Sequence, residues 1–281
     1  MIKTHTWNDL SDSSSDYNTL FATTSDDGPL DASASASGTF SAVSPILTQV
    51  LYLTEPGESG PINVADINQG QLGDCFLLSS IGEMALLKPT SISNMIHANA
   101  NGTETVTLYE ASNGRLPGFG TTSFRAVTET VTNVFPSDSV NSGATQDVVK
   151  GQKEIWPQVL EKAVATLDGG YGAIANGGNP VIAMEELTGH AASYQSPASV
   201  TLATLLSFVK AGDLVVMDTL PKGALPDGLF NDHAYMFDGV TGSGASAVVH
   251  LLNPWGFDQP SPILVSQLSR GFDEVDVGHL S

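Results

Sequence analysis

The sequence contains few groups that could cross-link the chain or anchor it in a membrane. Only one of its 281 residues is cysteine, so an intrachain disulfide and a multi-cysteine metal site are both excluded. No run of about 18 or more apolar residues occurs, which argues against a membrane-spanning helix. The first residues are polar and lack a long apolar segment, so a cleavable secretory signal is not expected.

Basic residues are also scarce, with ten Lys and Arg against 30 Asp and Glu and a formal net charge of −20. Such a chain repels the phosphates of nucleic acids and of anionic membranes, so neither is expected as a partner. Solubility alone accounts for an acidic surface, whereas a requirement for calcium, which binds oxygen ligands, is the alternative. The compartment stays open, because the lack of disulfides fits a reducing cytoplasm and the acidic composition also fits export without a cleaved signal.

The N-terminal part of the chain differs in composition from the rest. No Lys or Arg occurs from Ser11 to Ser44, where Ser, Thr, Asp and Ala dominate. Such a segment buries too little apolar surface to offset its ordering entropy. We therefore predict that residues 1–58 are mostly flexible, as a leader, propeptide or tether, although Phe40 to Leu53 is apolar enough to dock on the adjoining domain. Residues 59–195 are predicted to form a helical subdomain and residues 196–281 a β-rich one.

The pattern of apolar residues places the main elements. Helical spacing predicts helices over Cys75–Leu87, Glu154–Leu167 and Thr201–Ala211. Strands are predicted over Thr105–Tyr109, Leu214–Met217, Ala234–Phe237 and Ala247–Leu252, with a turn at Asn113–Gly114.

The only cysteine lies at the start of the first predicted helix. Asp74 occupies the position where a helix N-cap is wanted, so Cys75 falls in the first turn, where the helix dipole favours a thiolate. Gly70 and Gly73 would permit tight turns ahead of the helix. Those turns would bring the Gln69 amide beside the Cys75 backbone N–H, as a pair of oxyanion donors. The alternative interpretation is an ordinary capped core helix with a buried cysteine.

A histidine and an asparagine lie on the last two predicted strands. A hairpin centred on Ser243 pairs His233 with Asn253 on one face. The same register pairs Tyr235 with Leu251 and Phe237 with Val249. An amide oxygen accepts a hydrogen bond from an imidazole N–H and leaves the other ring nitrogen for a thiol, and Trp255 could cover that bond. Taken alone, His233 is better interpreted as a satisfied core histidine on a strand, and only the combination with Cys75 and Asn253 favours the catalytic interpretation.

These segments together resemble the active-site segments of calpain cysteine peptidases. Gln69-Gly-Gln-Leu-Gly-Asp-Cys75 resembles the nucleophile segment, and His233-Ala-Tyr and Asn253-Pro-Trp-Gly resemble the other two. The resemblance runs over about residues 60 to 256 and includes the predicted helix at Glu154. It implies an α+β, papain-like fold in which the cleft between the helical subdomain and the antiparallel β-rich subdomain holds the active site.

The resemblance also implies a function. It implies an endopeptidase that acts on polypeptides through a Cys75, His233 and Asn253 triad and an acyl-enzyme, with Gln69 as oxyanion residue and Trp255 as shield. Asp66 and Glu154 match calcium-binding carboxylates of the family, and no organic cofactor is implied. Phe76 departs from the tryptophan of animal calpains, and no EF-hand loop is present. A catalytically silent protein-binding module and a papain-fold acyl transferase are the alternatives.

Overall fold

The computed structural model describes residues 47–112, 123–143, 148–226 and 228–280. The helices are α1 (Cys75–Leu87), α2 (Pro89–Met95), α3 (Trp156–Leu167), α4 (Tyr171–Ile174), α5 (Pro180–Thr188), α6 (Leu202–Ala211) and α7 (Leu268–Gly271). The strands are β1 (Thr48–Val50), β2 (Ile96–Ala98), β3 (Thr103–Ala111), β4 (Phe124–Thr132), β5 (Val148–Val149), β6 (Gln152–Glu154), β7 (Ser193–Gln195), β8 (Leu214–Thr219), β9 (Ala234–Thr241), β10 (Val248–Leu252), β11 (Ile263–Leu264) and β12 (Phe272–Gly278). The predicted turn at Asn113–Gly114 lies outside the described residues.

The central helix is α1, and its predicted bounds are confirmed. Ten of its 13 residues are buried, as expected for a helix that is apolar on more than one face. The hydroxyl of Ser79 donates to the Ala234 carbonyl oxygen at 3.1 Å, which ties the helix to β9. The N-terminal end of α1, where Cys75 lies, is therefore held against the strand that comes directly after His233.

The second predicted helix begins later than expected, because α3 starts at Trp156 and not at Glu154. Glu154 instead extends β6, which pairs in parallel with β1. Pro157 is the second residue of the helix, a position that suits proline because the first helical N–H groups have no intrahelical acceptor. Glu154 thus belongs to a strand, directly before the helix.

The largest sheet has six strands in the order β11-β10-β9-β8-β12-β7 among the described residues. Alternate side chains of a strand point to opposite faces. On one face, Val215 and Met217 of β8 pack in a hydrophobic cluster with residues of β9, β10 and β12. On the other face, Leu214 and Val216 join the core that surrounds α1. The sheet therefore separates two apolar cores, and only one of them contacts the helix that carries Cys75.

The predicted register of the β9–β10 hairpin is wrong. Phe237 pairs with Leu251 and Val240 with Val249, and the register shifts between Val249 and Leu251. A 3-10 turn over Gly244–Ser246 lengthens the connection, and the bulge adds a residue on one strand. Both features depend on loop geometry that side-chain alternation does not encode.

Residues just before the predicted boundary at residue 58 take part in the fold. Strand β1 pairs with β6, and Leu51 and Tyr52 pack against the core around α1. These contacts supply the apolar burial that the composition of the preceding segment lacks. The structured unit thus begins at Leu47, and the predicted flexibility of residues 1–46 concerns residues that the structure does not describe.

Candidate active site

Cys75 lies in the first turn of α1 and is partly accessible to solvent. Burial is nonetheless the largest effect on its thiol and raises the pKa of Cys75 to about 12. The Ala234 N–H opposes this rise, and the negative charge of Asp218 adds to it. The lowered pKa expected for a helix N-terminus is therefore wrong, because desolvation outweighs the amides. Asp74 occupies the N-cap position but makes no side-chain cap bond.

His233 and Asn253 are in contact, although their strands do not pair in the expected register. The His233 Nε2 and Asn253 Oδ1 atoms lie 2.9 Å apart. Asn253 Oδ1 also accepts from the Trp255 backbone N–H at 3.1 Å, which identifies that atom as the amide oxygen. Because an amide oxygen only accepts, His233 Nε2 must carry the proton. Nδ1 is then the unprotonated nitrogen of the neutral ring.

The neutral form of His233 is favoured by its surroundings. Burial lowers the pKa of His233 to about 4, and the hydrogen bond to Asn253 opposes that shift. The Trp255 ring centroid lies 4.5 Å from that of His233, and the Tyr235 ring meets the imidazole edge-on at 4.8 Å. Trp255 thus lies where the sequence predicted a shield, and the imidazole is available as a proton acceptor across the neutral pH range.

Three residues that sequence reasoning missed hold this pair. Thr219 Oγ1 accepts from the His233 backbone N–H at 3.0 Å. Gln259 Oε1 accepts from the Asn253 backbone N–H at 2.8 Å, and the Asp258 carbonyl oxygen accepts from Asn253 Nδ2 at 3.2 Å. None of the three belongs to a segment with a recognisable pattern, so no sequence signal identifies them.

The Gln69 amide is held beside the start of α1. Its Nε2 donates to the Leu72 carbonyl oxygen at 2.7 Å, and its backbone N–H donates to the Pro254 carbonyl oxygen at 2.8 Å. The Gln69 backbone is thereby joined to the residue that comes after Asn253. Burial raises the pKa of Asp74 to about 7, and hydrogen bonds that include one from the Gln69 side chain oppose that rise.

The two glycines near Gln69 have a different role from the one expected. Neither Gly70 nor Gly73 has a positive φ, so a left-handed turn is not the reason for glycine. A Cβ atom at Gly70 would overlap the Asp138 and Ser139 carbonyl oxygens, and one at Gly73 would lie 2.7 Å from the Ala175 oxygen. The missing side chains permit close backbone approach.

Comparison with known proteins identifies the family. A model described as "Calpain family cysteine protease" matches residues 57–261. The chain belongs to the calpain family. Its described residues form the α+β, papain-like fold of a calpain protease core, so the predicted fold class is confirmed.

Several calpains are similar to this chain. It is 31% identical over 214 residues to the calpain-type cysteine protease ADL1 of Oryza sativa subsp. japonica, an alignment that covers 70% of this chain and 9% of the relative. It is 30% identical over 214 residues to DEK1 of Zea mays, with the same two shares. It is 29% identical over 210 residues to Calpain-9 of Homo sapiens, covering 68% of this chain and 28% of the relative. The chain thus spans only a small part of each relative's length.

A group of carboxylates includes Asp66, which lies three residues before Gln69. One oxygen each from Glu55, Asp66 and Glu154 lie within 4.8 Å of one another. Asp66 Oδ2 accepts from the Trp156 indole N–H at 2.9 Å, whereas Asp66 Oδ1 is buried without a hydrogen-bond partner among the described residues. The structure therefore brings together the two carboxylates that the sequence predicted and adds Glu55, which the prediction of flexibility had hidden.

Within the residues that the structure describes, no helix has both the length and the apolar character needed to cross a bilayer.

Proposed function

We propose that this calpain-family chain is a cysteine endopeptidase that hydrolyses polypeptides through Cys75, His233 and Asn253. The observation that carries the proposal is the hydrogen-bond pattern at Asn253, whose Oδ1 accepts from both Trp255 and His233. That pattern leaves His233 Nδ1 as a proton acceptor. The interaction of the Cys75 thiol with the backbone N–H of Ala234, the residue after His233, supports the assignment of Cys75 to the same site.

Thiol and imidazole are both neutral in the free protein at neutral pH, since their pKa values are about 12 and about 4. In the proposed reaction, the Cys75 proton moves to His233 Nδ1 as Sγ attacks the peptide carbonyl carbon. The Gln69 side-chain amide, which would turn from its present acceptors toward the substrate, and the Cys75 backbone N–H stabilise the oxyanion. His233 then protonates the leaving amine, and a water that it deprotonates hydrolyses the thioester.

The test is digestion of denatured casein by the intact chain, followed by acid quenching and intact-mass analysis. We expect casein fragments, together with a fraction of the chain that carries an acyl group on Cys75. The assignment is unambiguous, because Cys75 is the only thiol in the chain. Uncut casein at every calcium concentration would contradict the proposal.

Calcium is proposed as the ion held by Glu55, Asp66 and Glu154. The separation of their oxygens, within 4.8 Å, suits a cation that takes carboxylate oxygens at about 2.3–2.6 Å. Asp66 Oδ1 lacks another partner among the described residues. Bound calcium would offset two of the three negative charges of these carboxylates. Because Asp66 is only three residues before Gln69, the ion would also order the segment that carries the oxyanion donor.

Calcium is expected to raise the melting temperature of the chain by several degrees relative to EDTA, because ligand at about 100 times its Kd adds about 2.7 kcal/mol to the free energy of unfolding. Glu55→Gln should reduce that shift, since it removes a charged ligand. Glu110→Gln serves as the control, because Glu110 pairs with Arg125 on the exposed β3–β4 hairpin. Equal shifts for both variants, or none for the unmodified chain, would contradict the assignment.

A further inference from the structure

We infer that the cleft beside Cys75 contains an acidic pocket, formed by Asp218 and Asp276, that binds an arginine or lysine side chain of the polypeptide substrate. The inference deepens the proposed function, on which it rests, because it names the substrate class of the same site. The position of the two aspartates, their burial and their lack of a basic partner within the described ranges support it.

Asp218 lies close to the nucleophile. It is the residue of β8 that pairs with Ala234 of β9, and Ala234 supplies the backbone N–H that acts on the Cys75 thiol. Burial is the largest effect on the pKa of Cys75 and raises it, and the Ala234 N–H lowers it. The negative charge of Asp218 is the next effect and raises the pKa further. Asp218 therefore lies close to the position at which a substrate carbonyl would react with Cys75.

Asp276 lies on the same face of the sheet, deeper in the protein. In the β8–β12 register, Glu274 pairs with Asp218 and Asp276 pairs with Val216. Residues two apart on a strand share a face, so Asp218, Glu274 and Asp276 point to the side on which Val216 packs in the core around α1. Asp218 is partly exposed, whereas Asp276 is 0% exposed. In the proposed pocket, Asp218 would therefore form the mouth and Asp276 the base.

The two aspartates lack the partners that buried carboxyl groups normally have. Both carboxylate oxygens of Asp276 and Oδ1 of Asp218 are buried without a hydrogen-bond partner among the described residues. Burial raises the pKa of Asp218 to about 8 and that of Asp276 well above its usual range. A buried carboxyl group without a hydrogen-bond donor or a counter-charge lowers the stability of the fold. A basic side chain that enters the pocket would supply both.

The expected ligand is an organic cation rather than a metal ion. Within the described ranges, the only group of acidic or other ligand atoms close enough to hold a metal is Glu55, Asp66 and Glu154. No lysine or arginine of the described part of the chain forms a salt bridge with Asp218 or Asp276. A long basic side chain can extend from the mouth to the base of such a pocket with its apolar stem against the walls. The net charge of −20 further favours the approach of basic polypeptides.

The test separates binding from cleavage. The Cys75→Ala variant, in saturating calcium, is titrated with a short acetylated and amidated peptide that carries a single arginine between two runs of alanine. The comparison peptide contains citrulline in place of the arginine, because citrulline is neutral and nearly the same shape. The alanine flanks let the single side chain reach the pocket in any register. We expect the arginine peptide to bind at least about tenfold more tightly.

Asp218→Asn and Asp276→Asn, each in the Cys75→Ala background, are expected to reduce that ratio to about threefold or less. Glu129→Gln removes the same charge from strand β4 of another sheet and should leave the ratio at about tenfold. Melting temperatures show whether each variant is folded. If one aspartate variant does not fold, the other still tests the pocket.

Equal affinity for the two peptides would refute the proposed pocket. So would an arginine-to-citrulline affinity ratio that neither aspartate variant changes. The casein digestion reports independently on the proposed function. Selective binding of arginine without casein cleavage would refute the peptidase and leave the pocket. Casein cleavage with equal binding of both peptides would refute the pocket and leave the peptidase.

Discussion

His233→Ala is expected to lower kcat/KM on a peptide taken from a casein cleavage site by about 10³-fold, the contribution typical of a positioned general base. Without the imidazole, the site loses the positioned acceptor for the proton of a thiol whose pKa is about 12. The loss should appear in kcat, because His233 acts on the reacting atoms rather than on substrate binding. Initial rates measured by liquid chromatography over a range of peptide concentrations separate the two constants.

The matched control is His250→Ala, since His250 lies on β10 and bonds Thr241 at 2.7 Å, away from the site. It should keep kcat/KM within about twofold, and Cys75→Ala gives the floor. In the unmodified chain, kcat/KM should fall as pH drops through about 4, because protonation of His233 there removes the acceptor. A His233→Ala rate close to that of His250→Ala would contradict the assigned role.

Glu83→Ala is expected to lower the free energy of unfolding by about 3–4 kcal/mol, or the melting temperature by roughly 10 °C. Glu83 is a fully buried residue of α1. Its carboxyl group accepts from the Val215 N–H of β8 at 3.0 Å and from the Phe237 N–H of β9 at 2.6 Å. Alanine would leave both N–H groups buried without an acceptor and would open a cavity beneath the strand that comes directly after His233.

The pH dependence distinguishes this role from simple space filling. Burial raises the pKa of Glu83 to about 8, above its unfolded value of about 4.5. A raised pKa stabilises the fold fully below the unfolded pKa, and this contribution is lost as pH rises through the folded pKa. Glu83→Gln cannot titrate, so its deficit relative to the unmodified chain should be largest near pH 5 and smaller near pH 9.

Chemical denaturation at the two pH values measures that difference. Glu129→Gln on β4 is the control and should shift stability by less than about 0.5 kcal/mol at either pH. A Glu83→Gln deficit that grows with pH would show that the carboxyl group is ionised in the fold, contrary to the expectation.

Much of the fold follows from local patterns. The bounds of α1 could be predicted because the long apolar run after Asp74 is typical of a buried helix. The strands around Ala234 and Val248 follow from their apolar runs and from the glycines between them. The family resemblance then indicated which side chains to compare across the cleft, and the structure brings His233 and Asn253 within 2.9 Å.

Other features could not be predicted, because they depend on distances between segments far apart in sequence. Glu55 joins Asp66 and Glu154 only after β1 pairs with β6. The bulge in β9, between Phe237 and Val240, changes the hairpin register in a way that the sequence pattern does not reveal. Strand pairing likewise places Glu274 opposite Asp218, and it places Asp276 two residues farther along β12 on the same face.

The sequence by itself determined several of the main elements, the family and the candidate reactive groups, because periodicity and short motifs are local properties of the chain. Only the tertiary structure decided the ionisation of those groups. The same cysteine that a helix N-terminus alone would make acidic has a pKa of about 12 once it is buried near Asp218. Desolvation and charge act through space, so the neighbours that set a pKa are chosen by packing and not by sequence order.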